Sequence, residues 1–172
     1  MFIPKIDYRF KRVTDITPLD IEKMGVKAVG LDIDNTICFD GTMDFIEGLH
    51  EWIRNIKNAG FPIMIITNAT NPRAGRVAKA LSLPYVHLAK KPFSFKLKIA
   101  AKRMGVNINE MAMLGDQLFA DIKAANKCGA VAVRIDPMQG ETRFPRYYAK
   151  RRRKEAPIIA EFEKNHGYGV DK

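Results

Sequence analysis

The 172-residue sequence has only two cysteines, Cys38 and Cys128, and no CxxC pair. Two cysteines are too few for a disulfide framework, and the missing CxxC spacing argues against a structural zinc site. The chain contains no run of about 18 apolar residues, so no membrane-spanning helix is predicted. Its first residues also lack the apolar stretch of a signal peptide. These absences predict a reduced, cytoplasmic protein.

Acidic residues are scarce beside basic ones, with 19 Asp and Glu against 29 Lys and Arg and a net charge of +10. A surface of this charge favours anionic partners such as nucleic acid, anionic lipid or phosphorylated small molecules. Part of the charge is concentrated in residues 143–154, which include seven basic residues and no acidic one. A solvated tail and a functional patch both remain open for this basic segment.

Apolar segments of strand length alternate with segments of helical periodicity. The predicted strands are residues 28–34, 61–68, 85–89, 111–116 and 130–135. The predicted helices are residues 44–60, 71–82, 94–105 and 119–129. This alternation predicts a doubly wound, Rossmann-like α/β fold, with a five-stranded parallel sheet and helices on both faces. We expect residues 1–140 to form this domain and residues 141–172 to form a basic extension that packs on it or flanks it.

Polar side chains lie at the ends of four of the predicted strands or just after them. They are Asp32 and Asp34, Thr67 and Asn68, Lys90 and Lys91, and Asp116 with Asp121 one turn further on. In open parallel sheets, ligands bind outside the carboxyl ends of the strands. The sequence therefore predicts one site at this edge of the sheet.

The carboxylates at this edge predict a metal ion. Asp32 and Asp34 lie two residues apart in an extended segment, so they share one face. With Asp116 they would repel one another strongly if left bare. Mg²⁺ would relieve this repulsion, because it prefers oxygen ligands and a substrate phosphate completes its coordination shell. Thr67 and a neighbouring lysine would then suit the phosphate oxygens, as a hydroxyl donor and a positive charge.

The same residues lie in four ordered motifs. DIDNT begins at Asp32, Thr67 lies at the end of the second strand, KKPF contains Lys91, and GDQLFAD runs from Gly115 to Asp121. In this order and on these elements, they resemble the four motifs of the haloacid dehalogenase superfamily over about residues 25–140. The resemblance implies a haloacid dehalogenase-like fold and phosphoryl transfer.

The resemblance also implies roles for the first two aspartates. Asp32 would be the nucleophile that forms an aspartyl-phosphate. Asp34 would be the general acid for the leaving alcohol and then the general base for the attacking water. The backbone carbonyl of Asp34 would also face the metal. A second aspartate at this position indicates a phosphatase or phosphotransferase rather than a haloalkanoate dehalogenase.

The remaining motif residues would bind the phosphoryl group and the metal. The resemblance implies that Thr67 and Lys91 are catalytic, and that together with Asn68 they bind the transferring phosphoryl group. Asp116 would hold Mg²⁺ with Asp32 and Asp34, whereas Asp121 would bind the metal or orient one of its ligands. As alternatives, Thr67 and Asn68 could cap the following helix, and Asp121 could be a surface helix residue.

The spacing of the motifs leaves no room for a cap domain. Between Asp32 and Thr67 there is one loop and one predicted helix, and between Thr67 and Lys91 one helix and one strand. Only residues 39–43, which we call the flap, would overhang the site. An open site favours a large or surface-bound phosphate over a small metabolite that needs enclosure.

Several details are most similar to one branch of the superfamily. The DNT triplet, the Lys-Pro pair, GDQLF-x-D and the basic C-terminal segment resemble the YqeG-type, class III subfamily A phosphatases, which are related to phosphatidylglycerophosphate phosphatases. This implies conversion of phosphatidylglycerophosphate to phosphatidylglycerol. The basic charge of residues 143–154 is compatible with contact with anionic lipid on the inner membrane face. The alternatives are a phosphatase for nucleotides, sugar phosphates or nucleic-acid ends, and a nucleic-acid or ribosome-associated binding module with a relict site.

Four nearby residues are harder to assign. Asp40 lies in the flap beside a glycine, as is common for turn aspartates. Arg73 and Arg76 follow Thr67 on a predicted helix, where solvation is the default and substrate contact the alternative. No arginine follows Cys38 at the spacing of a cysteine phosphatase loop, so Cys38 is not predicted to be a nucleophile.

Overall fold

A computed structural model describes residues 2–138 and 144–170 of the chain. Its sheet has six strands, all parallel, in the order β1-β6-β5-β2-β3-β4. The strands are β1 (Tyr8–Phe10), β2 (Ala28–Leu31), β3 (Ile63–Ile66), β4 (Tyr85–Val86), β5 (Met111–Gly115) and β6 (Val131–Ile135). The helices are α1 (Pro18–Lys23), α2 (Leu49–Asn58), α3 (Asn71–Leu81), α4 (Phe95–Arg103), α5 (Lys123–Cys128) and α6 (Pro145–Asn165).

The predicted doubly wound α/β fold is confirmed, but the strand count of five was too low. The additional strand, β1, has three residues, and Tyr8 is in register with Val133 of β6. So short a strand shows too little apolar alternation to be recognised in a sequence. It lies at the edge of the sheet and does not alter the order of the strands that carry the predicted site.

Each face of the sheet buries its own apolar core. Successive residues of β2 alternate between the faces, with Val29 and Leu31 in one core and Ala28 in the other. The first core includes Ile21 of α1, Trp52 of α2 and Val77 of α3. The second includes Leu97 of α4 and Ala124 of α5, with Ile158 of α6 packed against it. Near-continuous apolar strands are thus explained by burial on both sides.

Helix α2 begins at Leu49 and not at residue 44 as predicted. The residues before it form a small bridged turn, in which Cys38 pairs with both Asp34 and Phe45. Gly48 then starts the helix with a φ of +77°, a conformation that glycine adopts without steric cost. The result is that the flap is held close to the end of β2.

Helix α6 contains most of the predicted basic segment, whose first residue, Arg143, lies outside the described residues together with 139–142. It packs on the domain, with Tyr148 and Glu155 buried. Ile158, Ile159 and Phe162 contact the second core. None of the helices within residues 2–138 and 144–170 is both long enough and apolar enough to cross a membrane.

Candidate active site

The carboxyl ends of β2, β3, β4 and β5 meet at one edge of the sheet, as predicted. The Asp32 amide still donates to the Leu114 carbonyl at 3.0 Å, so the β2 ladder places this carboxylate directly at the edge. A cavity of about 330 Å³ lies above it. Among the side chains that line the cavity are Asp32, Asp34, Thr67, Asn68, Arg73, Lys91 and Asp121.

Lys91 joins two of the carboxylates. Its Nζ lies 2.6 Å from Asp32 Oδ1 and 2.6 Å from Asp121 Oδ1, and it donates to the Ile66 carbonyl at 2.8 Å. The Lys91 side chain is only 2% exposed, so this ion pair is shielded from water. A buried lysine requires such partners, because an unpaired charge is very costly to bury.

The loop that presents Lys91 is held by several hydrogen bonds. The Asn68 side chain accepts a hydrogen bond from the Lys91 backbone amide through Oδ1 at 2.8 Å and donates one to the Lys91 backbone carbonyl through Nδ2 at 3.2 Å. Leu88 and Lys90 adopt positive φ angles of 45° and 52°, which are uncommon for residues with a side chain. Backbone bonds from Leu88 to Ala69 and from Ala89 to Thr67 support this strained segment. The loop is therefore tied to the end of β3, next to the cavity.

Burial sets the protonation of the Asp32–Lys91 pair. Burial raises the pKa of Asp32 well above its usual range, the Asp121 charge raises it further, and Lys91 opposes both effects. Burial alone would lower the pKa of Lys91, but the Asp121 and Asp32 carboxylates more than offset this and raise it. Lys91 therefore remains charged and provides the positive charge that offsets the ionised form of Asp32.

Asp32, Asp116 and Asp121 form a cluster that can hold a metal ion. One carboxylate oxygen from each lies within 4.8 Å of the other two. Asp116 is fully buried, and its Oδ1 has no hydrogen-bond partner among the residues that the structure describes. A buried oxygen without a donor and a set of carboxylate oxygens fit a hard cation such as Mg²⁺. Burial raises the pKa of Asp116 to about 7, although the neighbouring Arg152 charge lowers it.

Asp121, which the sequence motifs left as a ligand or an orienting residue, lies inside this cluster. It is placed there by Gly115 at the end of β5. A Cβ on Gly115 would lie 2.3 Å from Asp121 Cγ, so only glycine leaves room for the carboxylate. The Gln117 amide donates to Asp121 Oδ2 at 3.1 Å and fixes its orientation.

The Asp34 carboxylate is not part of the cluster but pairs with Arg73 of α3. Arg73 Nη2 lies 2.5 Å from Asp34 Oδ1, and Arg73 Nη1 donates to the Thr42 carbonyl at 2.9 Å. The Gly41 amide also donates to Asp34 Oδ1 at 2.9 Å. Solvation, the default expectation for Arg73, is therefore wrong, whereas Arg76 is exposed as expected. The predicted contribution of Asp34 to the metal was through its backbone carbonyl and stays a prediction.

Thr67 is 1% exposed and lies at the end of β3. Its Oγ1 accepts a hydrogen bond from the Ala69 amide at 3.1 Å. Because a hydroxyl can donate once while it accepts, the proton of this hydroxyl is left for a ligand in the cavity. Thr70 is the N-cap residue of α3, whereas the Thr67 and Asn68 side chains hydrogen-bond to the Ala69 and Lys91 backbones, so capping of α3 does not account for Thr67 and Asn68.

Helix α6 supplies two residues that the sequence analysis did not assign to the site. Arg152 donates to the Asp116 carboxylate and, at 3.1 Å, to the Asp116 carbonyl. Tyr148 lines the cavity, with its hydroxyl 3.5 Å from Asp40 Oδ1 in the flap. The sequence did contain one sign that this segment packs on the domain. Ile158 and Phe162 are apolar and four residues apart, a spacing that indicates a helix with one packed face.

Cys38 lies beside the cavity, and the structure explains why it is no nucleophile. Burial raises the pKa of its thiol to about 12, even though Arg73 lies 3.6 Å from the sulfur. The thiolate, which is the reactive form of cysteine, is therefore not populated at neutral pH.

Known proteins similar to this chain include a curated relative and many related structures. The chain is 27% identical over 154 residues to "Probable phosphatase YqeG" of Bacillus subtilis (strain 168), which covers 87% of this chain and 88% of that protein. The structure resembles 3-deoxy-D-manno-octulosonate 8-phosphate phosphatase from Moraxella catarrhalis, solved with magnesium, phosphate and KDO, with a TM-score of 0.51. That match has 15% identity and covers 86% of this chain and 99% of the other.

A phospho-aspartyl intermediate analogue of phosphoserine phosphatase gives a TM-score of 0.52 at 15% identity, over 73% of this chain and 98% of the other. At these identities the structural matches show the fold alone. Residues 39–129, more than half of the chain, match the haloacid dehalogenase-like hydrolase family. This match confirms the predicted enzyme class, and the similarity to YqeG supports the predicted branch: the chain belongs to the haloacid dehalogenase-like hydrolases.

Proposed function

We propose that this protein is a Mg²⁺-dependent phosphatase that hydrolyses a phosphomonoester through an aspartyl-phosphate on Asp32. The observation that carries the proposal is the contact of Lys91 Nζ with Asp32 Oδ1 and Asp121 Oδ1, at 2.6 Å each, beside the Asp32–Asp116–Asp121 cluster. It combines a carboxylate nucleophile, a fixed positive charge and a metal site at one end of the cavity. The similarity to a probable phosphatase supports the same function.

Asp32, Asp116 and Asp121 would hold the metal, with the Asp34 carbonyl as the further predicted ligand. When bound, Mg²⁺ supplies positive charge that lowers the repulsion between the carboxylates and the phosphoryl oxygens. The protein side chains then position the substrate and move the protons.

In the first step, a carboxylate oxygen of Asp32 attacks phosphorus, an O–P bond forms, and the bond from phosphorus to the leaving oxygen breaks. Asp34 donates a proton to that oxygen, so the alcohol leaves neutral. The Thr67 hydroxyl, whose oxygen already accepts from the Ala69 amide, donates to a phosphoryl oxygen. Lys91 offsets the negative charge that the transferring group brings into the buried site.

In the second step, Asp34 is ionised and accepts a proton from a water molecule. The water oxygen attacks phosphorus, the aspartyl–phosphate bond breaks, and the Asp32 carboxylate and inorganic phosphate are released. Asn68 uses its amide oxygen and one amide hydrogen to hold the Lys91 backbone. Its second amide hydrogen is left to bind the phosphoryl group, as predicted from the motif.

The mechanism is tested with p-nitrophenyl phosphate and Mg²⁺. Asp32→Asn should abolish turnover, because the amide is a poor nucleophile. Asp44→Asn is the matched control, since Asp44 is exposed and is not one of the three carboxylates of the cluster. Retained turnover in Asp32→Asn would contradict an aspartyl-phosphate on this residue.

We further propose phosphatidylglycerophosphate as the substrate, with phosphatidylglycerol as the product. The net charge of +10 favours an anionic lipid surface. Exposed apolar side chains lie on the flap, on the Lys91 loop and at the start of α6; they are Phe39, Met43, Leu88, Phe93, Phe144 and Tyr147. Aromatic and basic residues together suit a membrane–water interface. Residues 143–154 would contribute through Arg146, Lys150, Arg153 and Lys154, which are exposed.

A substrate panel tests this assignment. Phosphatidylglycerophosphate in mixed micelles is compared with nucleotides, sugar phosphates and nucleic-acid ends at equal concentration. Faster turnover of the lipid is the expected result, and a preference for a soluble ester would contradict it. If the protein were a nucleic-acid-binding module with a relict site, it would hydrolyse none of these substrates. The Asp32–Lys91 pair and the acidic cluster argue against this alternative, because a relict site would not need them.

The membrane contact is tested separately with vesicles that contain phosphatidylglycerol. Charge removal at Arg146, Lys150, Arg153 and Lys154 should weaken vesicle binding and leave p-nitrophenyl phosphate turnover unchanged. Arg152 must be left intact, because it contacts Asp116 inside the site. Equal binding to vesicles of zwitterionic lipid alone would exclude a role for these charges.

A further inference from the structure

Helix α6 lies outside residues 39–129, the stretch that matches the hydrolase family, yet it reaches the acidic cluster. Arg152 is the residue that makes this contact. One of its nitrogens, Nη2, donates to Asp116 Oδ2, and the other, Nη1, donates to the Asp116 carbonyl at 3.1 Å. Both the backbone and the side chain of Asp116 are thus held by a single guanidinium, whose planar fork fixes their relative orientation.

The contact divides the two carboxylate oxygens of Asp116. Oδ2 is used by Arg152, whereas Oδ1 is buried and has no hydrogen-bond partner in the described part of the chain. Asp116 itself is 0% exposed, so water at the protein surface does not satisfy this oxygen. An oxygen left without a donor inside an acidic cluster is the one that a cation would take.

A cation beside a metal site raises the question of competition with the metal. Part of the Arg152 charge is itself offset, because its Nη1 also donates to Glu155 Oε2 at 2.7 Å. Glu155 is fully buried, and its Oε1 accepts from the Leu118 amide at 2.9 Å. Arg152 and Glu155 therefore form an ion pair that is anchored to the turn after β5, and Arg151 Nε lies 3.9 Å from the same Glu155 carboxylate. Glu155 offsets part of this positive charge while Arg152 orients the Asp116 carboxylate.

We infer that Arg152 is a positioning residue that holds the Asp116 carboxylate in place for Mg²⁺, which makes helix α6 a working part of the metal site. The inference rests on the proposed function, since it takes the Asp32–Asp116–Asp121 cluster as the Mg²⁺ site. Residues that orient a metal ligand typically contribute about 10- to 100-fold to metal affinity. The basic segment then has two parts, with Arg152 facing the site and its neighbour Arg153 facing solvent.

The test measures Mg²⁺ binding directly, by calorimetric titration of the whole chain with MgCl₂ in the absence of substrate. Arg152→Ala should raise the dissociation constant for Mg²⁺ by about 10- to 100-fold, which means weaker binding. Arg153→Ala is the matched control, because it removes the same charge one residue further along α6 and should retain the wild-type constant. Arg152→Lys should recover part of the affinity. A lysine ammonium can reach one of the three acceptors, which are the Asp116 carboxylate, the Asp116 carbonyl and Glu155, but it lacks the planar guanidinium that contacts all three.

The other outcomes are distinct. An Arg152→Ala constant equal to that of wild type would overturn the inference, and so would tighter binding, which would show that Arg152 competes with the ion. If Arg152→Ala does not fold, Arg152→Lys decides, and wild-type affinity in that variant would overturn the inference. Failure of the wild-type chain to bind Mg²⁺ would contradict the proposed function itself, and the inference with it.

Discussion

Arg73 Nη2 lies 2.5 Å from Asp34 Oδ1, and this pair links the proposed general acid to the flap. The same arginine donates to the Thr42 carbonyl, and the Gly41 amide donates to the same Asp34 oxygen. Within the described chain, Oδ2 of Asp34 has no hydrogen bond, so it is the oxygen left for proton transfer. Arg73 thus fixes which carboxylate oxygen serves the reaction.

Arg73→Ala should therefore impair protonation of the leaving group. For an alkyl phosphate, we expect kcat to fall by about 100-fold, the lower range for loss of general acid catalysis. For p-nitrophenyl phosphate the loss should be much smaller, because the nitrophenolate leaves without a proton. The measurement is kcat for both esters.

Arg76→Ala is the control, as Arg76 is exposed on the same helix. An equal loss of kcat for the two esters in Arg73→Ala would place its effect on a step that both share, such as proton removal from water by Asp34, and would contradict a role in leaving-group protonation. An unchanged kcat for the alkyl ester would show that the Asp34 contact is dispensable.

The second prediction concerns the Lys91 ion pairs. Lys91→Met retains most of the apolar stem but leaves Asp32 and Asp121 buried without a cation. Loss of one partner from a buried ion pair costs about 3–5 kcal/mol, so the free energy of unfolding should fall by this amount in metal-free buffer. Urea unfolding with and without EDTA measures it.

Lys90→Met provides the comparison, because Lys90 is the exposed neighbour in the same strained loop. It should unfold within about 0.5 kcal/mol of wild type, as surface substitutions usually do. If Lys91→Met were equally stable, the two contacts of Lys91 would have no energetic importance, and its assignment as the counter-ion of the site would be wrong.

The third prediction follows from the close approach of Asp121 to Gly115. Gly115→Ala places a methyl group 2.3 Å from Asp121 Cγ, so the carboxylate must leave the cluster. We expect Mg²⁺ affinity to fall by at least about tenfold, since one carboxylate is lost from the metal site. Gly167→Ala, where a Cβ meets open space, should bind Mg²⁺ as wild type does. Equal Mg²⁺ affinity in the two variants would exclude Asp121 from the metal site.

The sequence predicted those parts of the site that depend on local pattern. Buried strands and periodic helices placed Asp32, Thr67, Lys91 and Asp116 at one sheet edge, because parallel strands end together. The partners of these residues were not predicted. Arg152 is 36 positions from Asp116, and Arg73 is 39 from Asp34, so their contacts depend on how helices pack. A basic residue on a helix is solvated by default, and sequence pattern does not reveal which one turns inward.

The last prediction concerns the pH dependence of stability in the metal-free protein. Burial raises the pKa of Asp116 to about 7, from the 3.8 expected for the unfolded chain. Between these values the native state binds a proton that the unfolded state has released, so stability falls as pH rises towards 7 and is lowest above it. An amide side chain does not titrate in this range, so Asp116→Asn should lack this component.

The measurement is the free energy of urea unfolding at pH 5, 6, 7 and 8 in EDTA, for wild type and Asp116→Asn. As the pH rises towards 7, the free energy of unfolding of the wild type should fall relative to that of the variant by up to about 1.4 kcal/mol per pH unit, the value for one proton. The pKa of Asp32 shifts in the same direction, partly because of the Asp116 charge, so the difference between the two curves reports Asp116 together with its effect on Asp32. Parallel curves would mean that Arg152 keeps Asp116 ionised throughout this range, against the dominant effect of burial.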